Sequence, residues 1–144
     1  MQIIDTHTHL FLKQFDNDRE AVVRRAIEAG VQRMYLPNID RASVDSMNQL
    51  AAQFPEHCFA MMGLHPCHVD EHYQAEIDFI AQELSTGNYV AVGETGLDYH
   101  WDTTFADQQK DALTQQITLA KKHALPIVLH TRESFDDTLS LIHI

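Results

Sequence analysis

The sequence predicts an α/β fold, a (β/α) barrel of the TIM type that is incomplete, with about five of eight strand–helix units present. Three observations predict it. Strand-like and helix-like segments alternate along the whole chain. The strand-like segments are continuous apolar runs without clean alternation, as in parallel sheets covered by helices. The residues that carry chemistry stand at the C-terminal ends of those strands, where such barrels build their sites. A doubly wound sheet competes, but it would place a glycine-rich turn after the first strand. Here that loop is Asp5-Thr6-His7-Thr8-His9-Leu10-Phe11, with no glycine.

The elements follow in order. Residues 2–6 form the first strand candidate, and residues 16–29 a helix closed by Gly30, a residue that stops helices without steric cost. Residues 31–36 are the second strand, and Asp40 caps a helix over 40–54, with Pro55 just beyond it. The third unit is a strand at 58–64 and a helix at 70–84. The fourth is a strand at 89–92 and a helix at 105–123, and the fifth strand, 126–129, precedes a helical start at Ser134. No linker, low-complexity tract or charge block divides the chain.

With 144 residues, 44% hydrophobic and 22% charged, the chain is one ordinary globular domain by length and composition. No apolar run reaches the roughly 20 residues of a membrane-spanning helix, and the start Met1-Gln2-Ile3-Ile4-Asp5 lacks a signal-peptide pattern, so the expected compartment is cytoplasmic. Cys58 and Cys67 have no CxxC spacing and are expected to be packing residues. The formal charge of −11 argues against a broad electrostatic grip on nucleic acid. A phosphate substrate would therefore need a local device, such as bound metal.

The strongest chemical signal is Asp5-x-His7-x-His9, because side chains two apart on a strand share a face and can hold one ion together. Val90-Ala91-Val92-Gly93-Glu94 presents a carboxylate after a buried strand, and Leu129-His130-Thr131-Arg132 ends the fifth strand with a histidine. Neighbouring strands lie about 4.8 Å apart, close enough for Glu94 and His130 to share a metal. His65 lies in the turn Gly63-Leu64-His65-Pro66 after the third strand, where a histidine can bond nearby backbone. Arg132 offers a planar fork suited to phosphate, or to a surface ion pair. Trp101 fits either a substrate wall or a loop anchor.

Taken together, Asp5 to His9, Gly63-Leu64-His65-Pro66, Gly93 to Tyr99 and His130-Thr131-Arg132 resemble the TatD family of metal-dependent deoxyribonucleases, within the amidohydrolase superfamily. The resemblance runs from Met1 to about Leu139. It implies that His7 and His9 bind one metal, that Glu94 bridges two and is catalytic, and that His130 binds the second. It also implies that His65 and Arg132 contact substrate near the phosphate. The cofactor implied is divalent metal, two ions per complete site, with zinc, magnesium or manganese all compatible with mixed histidine and carboxylate ligands. The substrate implied is DNA or a small phosphoester, cleaved in 3'-5' exonuclease fashion by metal-activated water.

The family's further histidine and aspartate ligands come from later strands that these residues do not include, which implies impaired turnover for this chain. A barrel of this kind takes about 250 residues. Five units leave unpaired strand edges and apolar faces, so self-association is expected. The last six residues, Leu139-Ser140-Leu141-Ile142-His143-Ile144, match the translation of a transposase-type sequencing adapter. The expected organisation is therefore 1–138 as the N-terminal part of the barrel and 139–144 as a non-native tail. Two alternatives stand beside the nuclease: an amidohydrolase-type enzyme acting on amide, ester or lactone bonds, and an inactive metal-binding fragment.

Overall fold

The computed structural model describes residues 2–143. Five strand–helix units follow one another: β1 (Ile3–Asp5) and α1 (Arg19–Glu28), β2 (Val31–Pro37) and α2 (Val44–Gln53), β3 (Cys58–Met61) and α3 (Tyr73–Leu84), β4 (Val92–Asp98) and α4 (Ala106–His123), β5 (Ile127–Arg132) and α5 (Phe135–Ile142). Short 3-10 turns at Lys13–Phe15, Arg41–Ser43 and Pro66–His68 lead into three of the helices. Every pairing is parallel, in the order β1-β2-β3 and β4-β5. A bridge between Met62 and Val92 joins the two groups. Consecutive strands are thus spatial neighbours, as in the wall of a barrel.

The local chemistry explains the boundaries. Asp40 accepts the Ser43 N–H at 2.9 Å and so opens the turn before α2, as its type suggests. Gly30 follows α1 at φ +97°, a conformation that costs glycine nothing. The core lies between the sheet and its helices, with Met34, Leu36, Val23, Met47, Leu50 and Leu84 fully enclosed. The other sheet face is open. Ile4, Tyr35, Phe59, Met61, Val90 and Val128 line it, and Ile4 keeps 53% of its surface in solvent.

Several boundaries differ from expectation, and those of β4, β5 and β1 bear on the site. The fourth strand does not end at residue 92 but begins there and runs to Asp98, every residue of it buried, so Glu94 stands inside the strand. The fifth continues through Arg132, so His130 and Arg132 are strand residues. Polar side chains at strand ends hide the continuation from a hydropathy reading. In contrast β1 stops at Asp5, which leaves His7 and His9 on the loop after it. There Asp5 Oδ1 accepts the His7 N–H at 3.1 Å and turns the chain towards the sheet. The expected tail at 139–144 begins inside α5, which continues to Ile142, and residue 144 lies outside the described residues.

Candidate metal centre

Glu94 is the hub of the site. It is 5% exposed, and each of its oxygens faces its own pair of imidazoles. Oε2 lies 3.0 Å from His7 Nε2 and 3.5 Å from His9 Nε2. Oε1 lies 3.2 Å from His130 Nδ1 and 3.6 Å from His65 Nε2. Two groups of candidate ligands therefore share this carboxylate: His7, His9 and Glu94, and His65, Glu94 and His130. The four residues expected to hold metal, His7, His9, Glu94 and His130, are brought together from β4, β5 and the loop after β1.

Buried polar groups fix the hub from below. Asn38, 1% exposed and just past β2, accepts the Glu94 N–H at 2.9 Å and donates its own N–H to Gly93 O at 3.1 Å. Its side-chain amide donates to Gly63 O at 3.1 Å and accepts from Ser43 Oγ at 2.8 Å. One residue thus ties the ends of three strands. Two buried glutamines on α4, two helical turns apart, do the same from outside. Gln109 accepts the Asp98 N–H at 2.9 Å, and Gln116 accepts the Leu64 N–H at 2.8 Å and donates to Thr95 Oγ1 at 2.7 Å. Asn38, Gln109 and Gln116 belong to no motif in the sequence, and Asp98, although inside the Gly93 to Tyr99 stretch, was assigned no role there. Their available signal was position: Gln109 and Gln116 fall on the buried stripe of α4 with Ala112, Leu113, Ile117 and Ala120.

The electrostatics follow from burial and neighbours. Burial alone would raise the Glu94 carboxyl, but hydrogen bonds from His130 and His9, with His65 and His7 nearby, outweigh it and hold the group well below the usual carboxylate range. The hydrogen bond to Glu94 raises His130, against its burial and with help from Asp98. Burial lowers His65 to about 4, the attraction of Glu94 notwithstanding, so this ring is neutral at pH 7. His65 Nδ1 accepts the Cys67 N–H at 3.1 Å. The proton of the neutral ring therefore sits on Nε2, and His65 offers the site a donor.

The residues fit a divalent ion on geometric grounds. His7 Nε2, His9 Nε2 and Glu94 Oε2 are separated by 3.1, 3.5 and 3.0 Å. Tetrahedral ligands bound at 2.0–2.1 Å stand roughly 3.3 Å apart. On the other side, His130 Nε2 lies 2.8 Å from Asp98 Oδ2, an acceptor-only carboxylate. Nε2 must carry the hydrogen, and in the neutral ring Nδ1 turns a lone pair towards an ionised Glu94 oxygen. The His65 Nε2–H faces that lone pair at 3.2 Å, and a cation placed between Nδ1 and Glu94 would be attracted by both groups. His9 Nδ1 is buried without a hydrogen-bond partner among the described residues.

Around this centre Arg132 does not reach into the carboxylate cluster, and its guanidinium lies over the Trp101 ring at 5.1 Å. Trp101 itself is 71% exposed, more open than a partly buried loop anchor would be. Both cysteines are free, Cys58 buried and Cys67 exposed. No helix of the described residues is long and apolar enough to cross a membrane.

The profile of the family described as TatD related DNase matches residues 4–144. An uncharacterized metal-dependent hydrolase of Bacillus subtilis, YabD, is 33% identical over 97% of this chain and 54% of its own length. The 3'-5' ssDNA/RNA exonuclease TatD of a Rahnella species is 35% identical over 93% of this chain and 51% of its own. The crystal structure of YjjV, a TatD homolog from Escherichia coli K12, superimposes with a TM-score of 0.90 at 32% identity, over 98% of this chain and 55% of that one. The chain spans about half the length of the curated relatives it matches. Profile, sequence and fold agree over nearly the whole chain, and the chain belongs to the TatD-related DNase family.

Proposed function

We propose that residues 1–138 form the N-terminal part of a TatD-type barrel that hydrolyses phosphodiester bonds in nucleic acid, in the 3'-5' exonuclease manner of its named relatives. The observation that carries this reading is the divided Glu94 carboxylate, one oxygen to His7 and His9 and the other to His130. Such a division suits two ions held by His7, His9 and Glu94 on one side and by Glu94 and His130 on the other. Zinc, manganese and magnesium all accept these donors. Divalent metal in such a site supplies an activated water and offsets charge on the phosphodiester.

The protein's own groups do the rest. His65 donates its Nε2–H towards a phosphate oxygen, a role its neutral, fixed tautomer favours over metal ligation. Arg132 supplies a cation at the rim of a chain whose net charge is −11. The open apolar sheet face and the outer edges of β1 and β5 also support self-association. Isothermal titration with Zn²⁺ and Mn²⁺ tests the metal assignment. Wild-type protein should bind divalent ion, and His7→Ala and Glu94→Ala should bind less of it. Unchanged stoichiometry in both variants would rule the assignment out.

A further inference from the structure

We infer that Asp98 is a positioning residue of this centre: its carboxylate holds the proton of His130 on Nε2, so that Nδ1 faces Glu94 as a metal-binding lone pair. The inference rests on the proposed metal site and names the residue that decides whether His130 can serve it.

The geometry is specific. Asp98 Oδ2 lies 2.8 Å from His130 Nε2, and Oδ1 accepts the His100 N–H at 3.0 Å, with the Cys67 thiol as a further side-chain partner. The residue is 2% exposed and borders a small cavity that it shares with Cys67, Phe105 and Gln109. Its backbone is gripped from α4, where Gln109 accepts the Asp98 N–H at 2.9 Å and donates to its carbonyl at 3.2 Å. Gln109 is itself 4% exposed. Across the strand pair Gly96 stands opposite His130 and Asp98 opposite Arg132, so Asp98 sits one step further along the rim, within reach of the distal ring nitrogen.

The chemistry turns on a competition. A neutral imidazole places its hydrogen on either nitrogen at little cost. With the hydrogen on Nδ1, His130 would donate directly to Glu94 Oε1, 3.2 Å away, closing the gap with a hydrogen bond and offering no lone pair to a cation. A carboxylate on the far side reverses that preference, because only the Nε2–H tautomer satisfies it. The same partner also makes Nδ1 a better donor to metal, as carboxylate–histidine pairs do in metal sites generally. Asp98 thus converts a residue that would close the site into one that opens it.

Two measurements test this. Imidazole nitrogen NMR on the metal-free wild-type protein, at a pH where the ring is neutral, should find His130 protonated on Nε2. Protonation on Nδ1 would overturn the inference whatever the variants do. The second is a Co²⁺ titration followed by visible absorption, with far-ultraviolet circular dichroism as the check on folding. Asp98→Ala should weaken binding at His130 by about 10- to 100-fold. Asp98→Asn, whose amide oxygen still accepts the Nε2–H, should recover most of that loss, a rescue that a purely structural role would not produce. Wild-type affinity in a folded Asp98→Ala, or equal losses in both variants, would refute the positioning role. A wild-type protein that binds no Co²⁺ would instead overturn the metal reading, while the nitrogen spectra still decide the part played by Asp98.

Discussion

Replacing Gln116 by leucine isolates the internal scaffold that carries the site. Gln116 is 0% exposed, accepts the Leu64 N–H at 2.8 Å and donates to Thr95 Oγ1 at 2.7 Å. Leu64 and Thr95 are each 1% exposed, so neither can turn to water when the amide is lost. A buried donor left without an acceptor costs about 1–3 kcal/mol, and the threonine hydroxyl adds up to about 1 more. Removing the buried amide itself offsets about 1 kcal/mol. The net expectation is a loss centred on about 1.5 kcal/mol and at most about 3, and for a chain of this size a fall in Tm of roughly 3–6 °C. Urea denaturation of the metal-free protein measures it, with Gln115→Ala as the control. Gln115 bonds to Gln74 and Asp111 on the exposed side of α4, and its loss should stay within about 0.5 kcal/mol. A Gln116→Leu protein within about 0.5 kcal/mol of wild type would refute the claim that this amide holds the strand ends.

Two further outcomes are expected. Gly96 has φ +145°, and a Cβ there would lie 1.9 Å from His130 O, so Gly96→Ala must push β5 away from β4. We expect a loss of more than about 3 kcal/mol with loss of metal binding, and wild-type stability with intact binding would show that the register is not what aligns His130 with Glu94. Burial holds the folded His65 ring neutral down to about 4, whereas the unfolded ring takes up its proton near 6.5. Stability is therefore lost as pH falls from 6.5 to 4, by roughly 3 kcal/mol from this residue. His65→Gln should flatten the metal-free stability profile over that window by about that amount, and parallel profiles for the two proteins would contradict it.

How much of this was legible in the sequence depended on whether a residue announced itself by type or by place. The five strand–helix units were readable because apolar runs, helix stops and caps agree locally, as at Gly30 and Asp40. His7, His9, Glu94 and His130 stood out in the sequence because metal-binding types recur after the first, fourth and fifth strand candidates, and the fold brings these four side chains together. The extent of β4 was not, since Gly93, Glu94, Gly96 and Asp98 carry the composition of a loop. Only burial on every side, supplied by β5, α4 and Asn38, keeps them extended. Asn38, Gln109 and Gln116 were invisible for the opposite reason. A buried amide reads as a surface residue until tertiary structure shows that its partners are backbone groups of another strand.

The same limit separates His65 from His130. Both rings point at Glu94 Oε1, and their facing nitrogens are 3.2 Å apart. Type, burial and distance to the carboxylate do not distinguish them. What differs is the far nitrogen: His65 receives a backbone N–H from Cys67, whereas His130 meets the carboxylate of Asp98. A donor behind the ring puts the hydrogen in front, and an acceptor behind the ring leaves the front as a lone pair. In the proposed site one histidine is thereby suited to hold an oxygen of substrate and the other to hold a cation, a division that would be set by Cys67 and Asp98 behind the rings.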